Sequence, residues 1–121
     1  MKNGTHLIIS TATELLRVNI RHLLYIQADG NYSILCQVGG ENRTVTMQLG
    51  QIEKLLDQQI DNSDDYFVRI GRGLIVNISF IYLINLPKQQ LILSDSHQGK
   101  YTLNASRQSL TELKEFIEKN I

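Results

Sequence analysis

Arg72 stands between two glycines, and this short run is the part of the sequence best suited to chemistry. Arginine carries a planar guanidinium group with five N–H donors, a geometry that matches a phosphate or the major-groove edge of guanine. The flanking Gly71 and Gly73 permit positive φ angles and close approach of another backbone. A turn with a solvated arginine has the same pattern, so the run alone leaves anion or base recognition open.

Two other arginines and a serine lie near the ends of predicted elements. Arg69 precedes Arg72 closely, and Ser106-Arg107 comes just before the last apolar pattern of helical spacing. Serine is a preferred helix N-cap residue. An arginine at a helix N-terminus lies beside the positive end of the helix dipole, which disfavours its charge but suits a site that receives a phosphate or a guanine edge. For Arg69, a structural role and a phosphate contact are both open.

The residue types that enzymes and metal sites need are scattered along the chain. His6, His22 and His97 have non-acidic neighbours, and there is no HExxH, paired CxxC or nucleophile-elbow pattern. The acidic run 61–65 lacks the glycine and the terminal glutamate of an EF-hand calcium loop. We therefore predict that the protein is not an enzyme and has no catalytic residues, no metal and no cofactor.

Length and composition bound the fold. A chain of 121 residues, 42% hydrophobic and 20% charged, is predicted to form one globular domain over residues 1–121, with residues 1–5 as a frayed start. No apolar run is long enough to cross a bilayer, and the first residues lack a signal-peptide pattern. The single cysteine, Cys36, agrees with a reducing compartment and is predicted to be a small core residue. We predict a cytoplasmic protein with no membrane partner.

The formal net charge is zero, but the charges are unevenly distributed. Residues 67–107 contain five basic residues and one acidic residue, whereas residues 49–66 contain one basic and five acidic residues. This asymmetry predicts a basic face and an acidic face, and such a field can orient a molecule on a polyanion without overall positive charge. The basic residues of the first segment are Arg69, Arg72, Lys88, Lys100 and Arg107.

Most of the chain shows short apolar runs bounded by turn residues, which is typical of strands. We predict a mainly β, α+β domain of about nine or ten short, mostly antiparallel strands in an elongated sheet arrangement. Asp29-Gly30-Asn31 is the strongest turn signal, and the only proline, Pro87, falls in another turn. The predicted strands are 6–10, 15–18, 25–28, 32–38, 43–48, 82–86, 90–93 and 101–103, with two more on either side of Gly71-Arg72-Gly73.

Two segments have helical spacing instead. One is a short central helix beginning near Leu49, and the other is the C-terminal segment, in which Leu110 and Leu113 lie on one face. The start of the C-terminal helix is open, because either Ser106 or a capping box of Ser109 and Glu112 could begin it. The polar Asn77 in an apolar run is predicted to satisfy backbone groups at a turn.

A spaced pattern joins the central stretch to the start of the last helix: Phe67, Arg69, Arg72, Val76-Asn77, Ile81 and Ser106-Arg107. The pattern resembles the signature of the LytTR-type DNA-binding domain, the output module of LytR/AlgR-family bacterial response regulators. The family commonly has a phenylalanine, a basic residue, a His-Arg-Ser-aromatic run and then Val-Asn. Gly71, Gly73 and Leu74 replace the histidine, the serine and the aromatic residue, which puts sequence preference in question more than the fold. The resemblance covers residues 20–119.

In the resembled family, loops rather than a recognition helix enter successive major grooves of double-stranded DNA. The resemblance places Arg72 and Arg107 at two positions that contact bases or phosphates. The spacing from Ile26 to Tyr32 also resembles the family pattern and implies a third contact near Asn31, Tyr32 and Ser33. Two alternatives stay open here, namely that Asn31 only forms the turn and that Tyr32 packs on a neighbouring strand. The predicted DNA-binding residues are Arg72, Arg107, Arg69, Tyr32, Asn31 and Ser106.

The resemblance implies a standalone transcription regulator that binds paired direct-repeat sites as two copies. The family's usual receiver domain or membrane sensor is missing from this sequence, so we expect regulation by expression level, by a regulatory protein partner or by a ligand, unless the chain is an excised output domain. The rival hypothesis is a protein-interaction module of the same fold that has lost DNA binding and modulates another regulator. The replacements at positions 71, 73 and 74 favour the rival, and the retained Arg72 and Arg107 oppose it.

Overall fold

The computed structural model describes residues 4–95 and 99–121. Part of the predicted frayed start, residues 1–3, and the middle of the predicted turn at 95–99, which includes His97, lie outside the described residues. The two flanks of that turn are joined directly. The Asp95 N–H donates to the Gly99 carbonyl at 3.0 Å, and the Gly99 N–H donates to the Asp95 carboxylate at 2.9 Å.

Ten strands and two α-helices in the described residues confirm the predicted strand-rich α+β class. All the strand pairs are antiparallel. The elements are β1 (His6–Ser10), β2 (Leu15–Asn19), β3 (Leu23–Asp29), β4 (Tyr32–Gln37), β5 (Asn42–Val45), α1 (Leu49–Gln59), β6 (Phe67–Ile70), β7 (Leu74–Asn77), β8 (Ile81–Asn85), β9 (Gln90–Ser94), β10 (Lys100–Asn104) and α2 (Arg107–Lys119).

The strands form three sheets. β1 and β2 make a hairpin, a five-stranded sheet has the order β5-β4-β3-β7-β6, and a three-stranded sheet has the order β10-β9-β8. In the five-stranded sheet, Ile26 pairs with Leu35 on one side and with Ile75 on the other, so three apolar side chains form one row across the strands. The turn from β3 to β4 depends on Gly30, whose φ of +62° is a left-handed conformation that glycine adopts without strain.

Each helix covers a separate hydrophobic core. Helix α1 buries Ile52 and Leu56 against Ile26, Leu35 and Ile75. The amphipathic pattern of α2 buries a second set of apolar residues against β7 and the three-stranded sheet. Neither helix is long enough to be stable alone, so both depend on this packing. The second core contains Leu24, Ile70, Leu74, Val76, Leu91, Leu93, Leu110 and Leu113.

Asn77 is only 3% exposed and holds the end of β7 to the chain before β3. Its side-chain amide donates to the Ile20 carbonyl at 3.2 Å and to the Leu23 carbonyl at 2.9 Å, and its side-chain oxygen accepts from the Ser79 N–H at 3.0 Å. The predicted role of Asn77, satisfying backbone groups at a turn, is confirmed. A buried amide with all these partners costs little, whereas the same amide without them would be strongly destabilising.

Two local predictions were wrong. The strand predicted at 43–48 is only Asn42–Val45, because Gln48 serves as the N-cap of α1 and exchanges capping-box hydrogen bonds with Gln51. Ser33, predicted to lie near a DNA contact, is fully buried, and its hydroxyl donates to the Met47 carbonyl at 2.7 Å. Both errors arise at the junction of β5 and α1, where the chain leaves the sheet.

Cys36 is 5% exposed, as expected for a core residue. Burial raises the pKa of its thiol, and a hydrogen bond with the Tyr25 hydroxyl partly opposes that rise. Burial, followed by the hydrogen bond to Cys36, also raises the pKa of Tyr25. Both groups are therefore neutral at physiological pH and belong to the packing.

Replacing Leu110 by alanine should lower the free energy of unfolding by about 2–5 kcal/mol, because the substitution removes a fully buried side chain from the second core. Chemical denaturation measures the change. Leu15→Ala is the control, since Leu15 is 62% exposed and should change stability by less than about 0.5 kcal/mol. Equal losses for the two variants would contradict the assignment of the core.

Replacing Asn77 by aspartate should lower the free energy of unfolding by at least about 3 kcal/mol at pH 7, because a buried carboxylate would face two carbonyl oxygens that now accept N–H bonds. Urea titration measures the loss. Asn42→Asp makes the same change at an exposed site and should be nearly neutral. An Asn77→Asp variant as stable as the parent chain would show that the amide does not hold β7.

Candidate nucleic-acid interface

The turn between β6 and β7 carries Arg72 and is fixed to the end of β3. Gly71 has a φ of +60°, which bends the chain sharply after Ile70. The Gly73 carbonyl accepts from the Ala28 N–H at 2.8 Å, just beyond the last register pair of β3 and β7. The turn is therefore an extension of the sheet edge, with its position set by strand pairing.

The side chain of Arg69, which is partly exposed, braces this turn. Its Nε donates to the Gly71 carbonyl at 3.0 Å and one Nη donates to the Arg72 carbonyl at 3.2 Å. The other Nη forms an ion pair of 3.2 Å with Glu53 on α1. The Arg69 guanidinium thus binds two backbone oxygens of the turn and one carboxylate, which is the structural role that the sequence left open beside a phosphate contact.

Arg72 has the opposite environment. Its side chain is exposed, and within residues 4–95 and 99–121 it forms no ion pair and no side-chain hydrogen bond. The five N–H donors of its guanidinium point to no acceptor in the described parts of the protein. The turn therefore presents a free cation on a braced backbone.

A groove of about 370 Å³ separates this turn from the junction of β10 and α2. Ser106 caps α2 by accepting from the Ser109 N–H at 3.1 Å, which resolves the open choice of helix start, and Arg107 is the first helical residue. Gly71 lies so close to α2 that a Cβ at that position would be 3.7 Å from the Ser109 hydroxyl oxygen. Arg72 therefore lines one side of the groove, and Arg107 directly follows Ser106 on its other side.

The groove also contains polar residues that sequence reasoning missed. Gln27 and Asn104 lie on the strands that end at the groove, and Ser109 lies in the first turn of α2. Each is an ordinary strand or helix residue in the sequence, without a motif of its own. Only the pairing of β3 with β7, and the path of β10 into α2, bring them beside Arg72.

The turn between β3 and β4 lies at the same end of the five-stranded sheet. β3 ends where β7 begins, so Asn31 and Tyr32 share an edge with the Arg72 turn. Asn31 accepts a hydrogen bond of 3.3 Å from Gln48 at the start of α1, and Tyr32 is 48% exposed. Asn31 thus shapes the turn and remains exposed, while the Tyr32 ring is available to a ligand.

A fourth turn, between β8 and β9, is bonded to the junction of β10 and α2. The Gln89 carbonyl accepts from the Ala105 N–H at 3.3 Å, which holds this turn against the start of α2. Lys88 is exposed there, and its backbone N–H donates to the Asn85 side chain at 3.1 Å. Lys88 is therefore an exposed cation on a turn that is bonded to Ala105, the residue before Ser106.

Acidic residues gather on another part of the surface, along α1 and the short turn after it. Asp57 accepts from the hydroxyl of the buried Ser63 at 2.6 Å, which ties this turn to α1. Among the described residues no group of three or more histidine, cysteine, aspartate or glutamate side chains could hold a metal ion. No helix in the described chain has the length and apolarity required to cross a membrane.

These features define a class of protein, namely a β-rich domain that presents turns and a helix start, with exposed arginines, at one edge. The comparisons with known proteins identify the family. The model of the LytTr DNA-binding domain matches residues 13–118, so the chain belongs to the LytTR family of DNA-binding domains, as its sequence pattern predicted.

One solved structure supports the fold. The chain is similar to the LytTr DNA-binding domain of a Bacillus cereus protein described as a methyl-accepting/DNA response regulator, with 18% identity and a TM-score of 0.64. The match covers 95% of this chain and 98% of that chain. None of the curated proteins matches the chain significantly.

Replacing Ser106 by alanine should lower the free energy of unfolding by about 1 kcal/mol, because the substitution removes the acceptor for the Ser109 N–H. Ser106→Asp should keep most of the stability, since aspartate is also a good N-cap. Thermal or chemical denaturation measures both variants, with Ser10→Ala as an exposed control on β1. Equal stability of Ser106→Ala and the parent chain would place the start of α2 elsewhere.

Proposed function

We propose that this domain is a sequence-specific transcription regulator that reads the major groove through its turns. The observation that carries the proposal is that the exposed Arg72 lines a groove whose other side is formed by Ser106, the residue directly before the exposed Arg107. Arginine is the commonest side chain in specific major-groove contacts, because its guanidinium donates two hydrogen bonds to guanine. Turns of this size can enter a major groove about 12 Å wide.

Arg69, Arg72 and Arg107 have different roles in this proposal. Arg69 is bound to Glu53 and to two carbonyls, so it shapes the turn rather than reaching DNA. The guanidinium groups of Arg72 and Arg107 have no hydrogen-bond or ion-pair partner in residues 4–95 and 99–121, and in this proposal they read bases. Asn31 and Tyr32, at the neighbouring turn, provide the third contact of the same edge.

Phosphate contacts position the domain on the duplex. The start of α2 offers free backbone N–H groups and the positive end of the helix dipole, and Ser106 adds a hydroxyl. Lys88 is exposed on the turn bonded to Ala105, and in this proposal it neutralises a phosphate. The acidic residues of α1 then favour one orientation on the polyanion.

The three departures from the family pattern have different consequences. Gly71 and Gly73 are exposed in the turn, so they remove side chains that could contact DNA. Leu74, which replaces the aromatic residue, is 8% exposed and packs in the second core. The readout in this protein therefore rests on fewer side chains, and we propose a correspondingly greater share for Arg72 and Arg107.

Assembly and context follow from the same proposal. Two copies bind direct repeats whose centres are a whole number of helical turns apart, so that both contact one face of the duplex. The domain acts in the bacterial cytoplasm as the output part of a response pathway. Expression level, a regulatory protein partner or a ligand adjusts its activity.

A protein-interaction module is the second candidate, and one observation favours it. Phe116 on α2 is 40% exposed and lines a cleft of about 340 Å³ with Phe67 and Val68. Exposed aromatic residues are enriched where proteins bind one another. Binding that is insensitive to salt, with no preference among duplexes, would support this candidate over DNA recognition.

Selection from a random duplex pool, followed by titration of the enriched sequence, tests the proposal. Arg72→Ala and Arg107→Ala should each weaken specific binding by about 1–3 kcal/mol and relax preference at one base position. Lys88→Ala should weaken all duplexes alike and reduce the slope of log affinity against log salt by about 1.

Arg17→Ala is the matched control for these variants. Arg17 is exposed on β2 and has no ion pair in the described parts of the chain, so its loss should leave the base preference unchanged. An Arg72→Ala variant with the affinity and preference of the parent domain would remove Arg72 from the mechanism.

A further inference from the structure

We infer that Glu53 is a positioning residue for DNA recognition, acting through Arg69 on the turn that carries Arg72. Glu53 lies on α1, in the acidic part of the sequence, and is distant in sequence from every residue of the proposed interface. Its carboxylate oxygen is 3.2 Å from the Arg69 guanidinium. The inference rests on the proposed function, because the turn matters for binding only if Arg72 contacts DNA.

The contacts form a chain from the first core to the turn. Ile52, the neighbour of Glu53, is fully buried, so this part of α1 is anchored in the first core. Glu53 fixes one end of the Arg69 guanidinium, and the rest of the group donates to the Gly71 and Arg72 carbonyls. A planar guanidinium held at one Nη has a defined orientation, so its other donors hold the turn in one conformation.

The position of Arg72 depends directly on this arrangement. The carbonyl that Arg69 binds belongs to Arg72 itself, and the other carbonyl belongs to Gly71, which has a left-handed φ. Glycine loses more conformational freedom on ordering than other residues, so holding a turn with Gly71 and Gly73 in one conformation costs more conformational entropy. The side chain of Arg69 supplies the missing restraint.

The same helix supports the neighbouring turn. Gln48, at the N-cap of α1, donates to the Asn31 side chain at 3.3 Å. The N-cap Gln48 therefore contacts the β3–β4 turn directly, and Glu53 of α1 contacts the Arg72 turn only through Arg69. Helix α1 acts as a common support below the DNA-reading edge, although none of its side chains lines the groove beside Arg72.

The direction of the change in DNA affinity on removing the Glu53 charge tests the inference. A glutamate near a DNA-binding surface repels phosphates, so removing its charge should strengthen binding if Glu53 acts only as a surface charge. If Glu53 positions the Arg72 turn, removing it should weaken binding. The two effects are opposite, so the direction of the change distinguishes them.

The experiment measures affinity for the selected duplex with Glu53→Ala, Glu53→Gln and a control, Glu115→Ala. Glu115 is exposed on α2 and forms no ion pair in the described residues. Glu53→Ala should weaken binding by about two- to fivefold, the range typical of partly exposed ion pairs. Glu53→Gln should restore part of that loss, because its amide oxygen can still accept from Arg69. Glu115→Ala should leave binding unchanged or slightly stronger.

Combination with Arg72→Ala separates positioning from a general loss of structure. In the Arg72→Ala background, Glu53→Ala should cause no further loss of affinity, because no guanidinium remains to be positioned. The free energy of unfolding of each variant is measured in parallel, so that affinities are compared among folded proteins. A full additional loss in the double variant would overturn the inference.

The remaining outcomes distinguish the inference from the proposed function. If Arg72→Ala weakens binding and Glu53→Ala does not, the positioning role is wrong and the readout by Arg72 stands. If Arg72→Ala has no effect, the readout by Arg72 is wrong and the positioning role falls with it. Stronger binding of both Glu53 variants would show that Glu53 is only a repulsive surface charge.

Discussion

The burial of β7 on both faces is the constraint on which the rest of the structure depends. Ile75 belongs to the core beneath α1, whereas Leu74 and Val76 belong to the core beneath α2. Four residues thus connect two separate hydrophobic clusters, and the hydrogen bonds of Asn77 fix the end of the strand. A one-residue shift in the register of β7 would move every side chain to the wrong face. The turn that precedes β7 is therefore held in a defined position, and this allows it to present the long side chain of Arg72.

The proposed interface combines rigid support with exposed charge. Its turns lie at the ends of paired strands, where backbone bonds from Ala28 and Ala105 hold them. Arg69 braces the turn, and Arg72, whose side chain has no partner among the described residues, lies on the backbone that Arg69 holds. Polar side chains of α1 complete the support from below. This division explains how a domain with zero formal net charge can offer a cationic edge to a polyanion.

Local patterns in the sequence predicted which segments are strands, turns and helices, since alternation, turn residues and helical spacing are short-range signals. The role of Asn77 followed from its polarity within an apolar run.

The partners of Arg69 could not be predicted, because Glu53 is sixteen positions away and meets it only after the sheet and α1 have packed. The burial of Ser33 and the early end of β5 were missed for a similar reason, since both depend on how the chain turns into α1. The resemblance to LytTR domains led to the prediction that Arg72 and Arg107 contact DNA, and the three-dimensional structure adds the groove between the Arg72 turn and the start of α2.

The central claim is that DNA binds the edge formed by these turns. Backbone amide chemical-shift mapping during titration with the selected duplex tests it most directly. The account predicts the largest changes at residues 29–32, 71–73 and 105–109, with small changes along α1 and around Phe116. Changes concentrated around Phe116, with the three turns unaffected, would contradict the account.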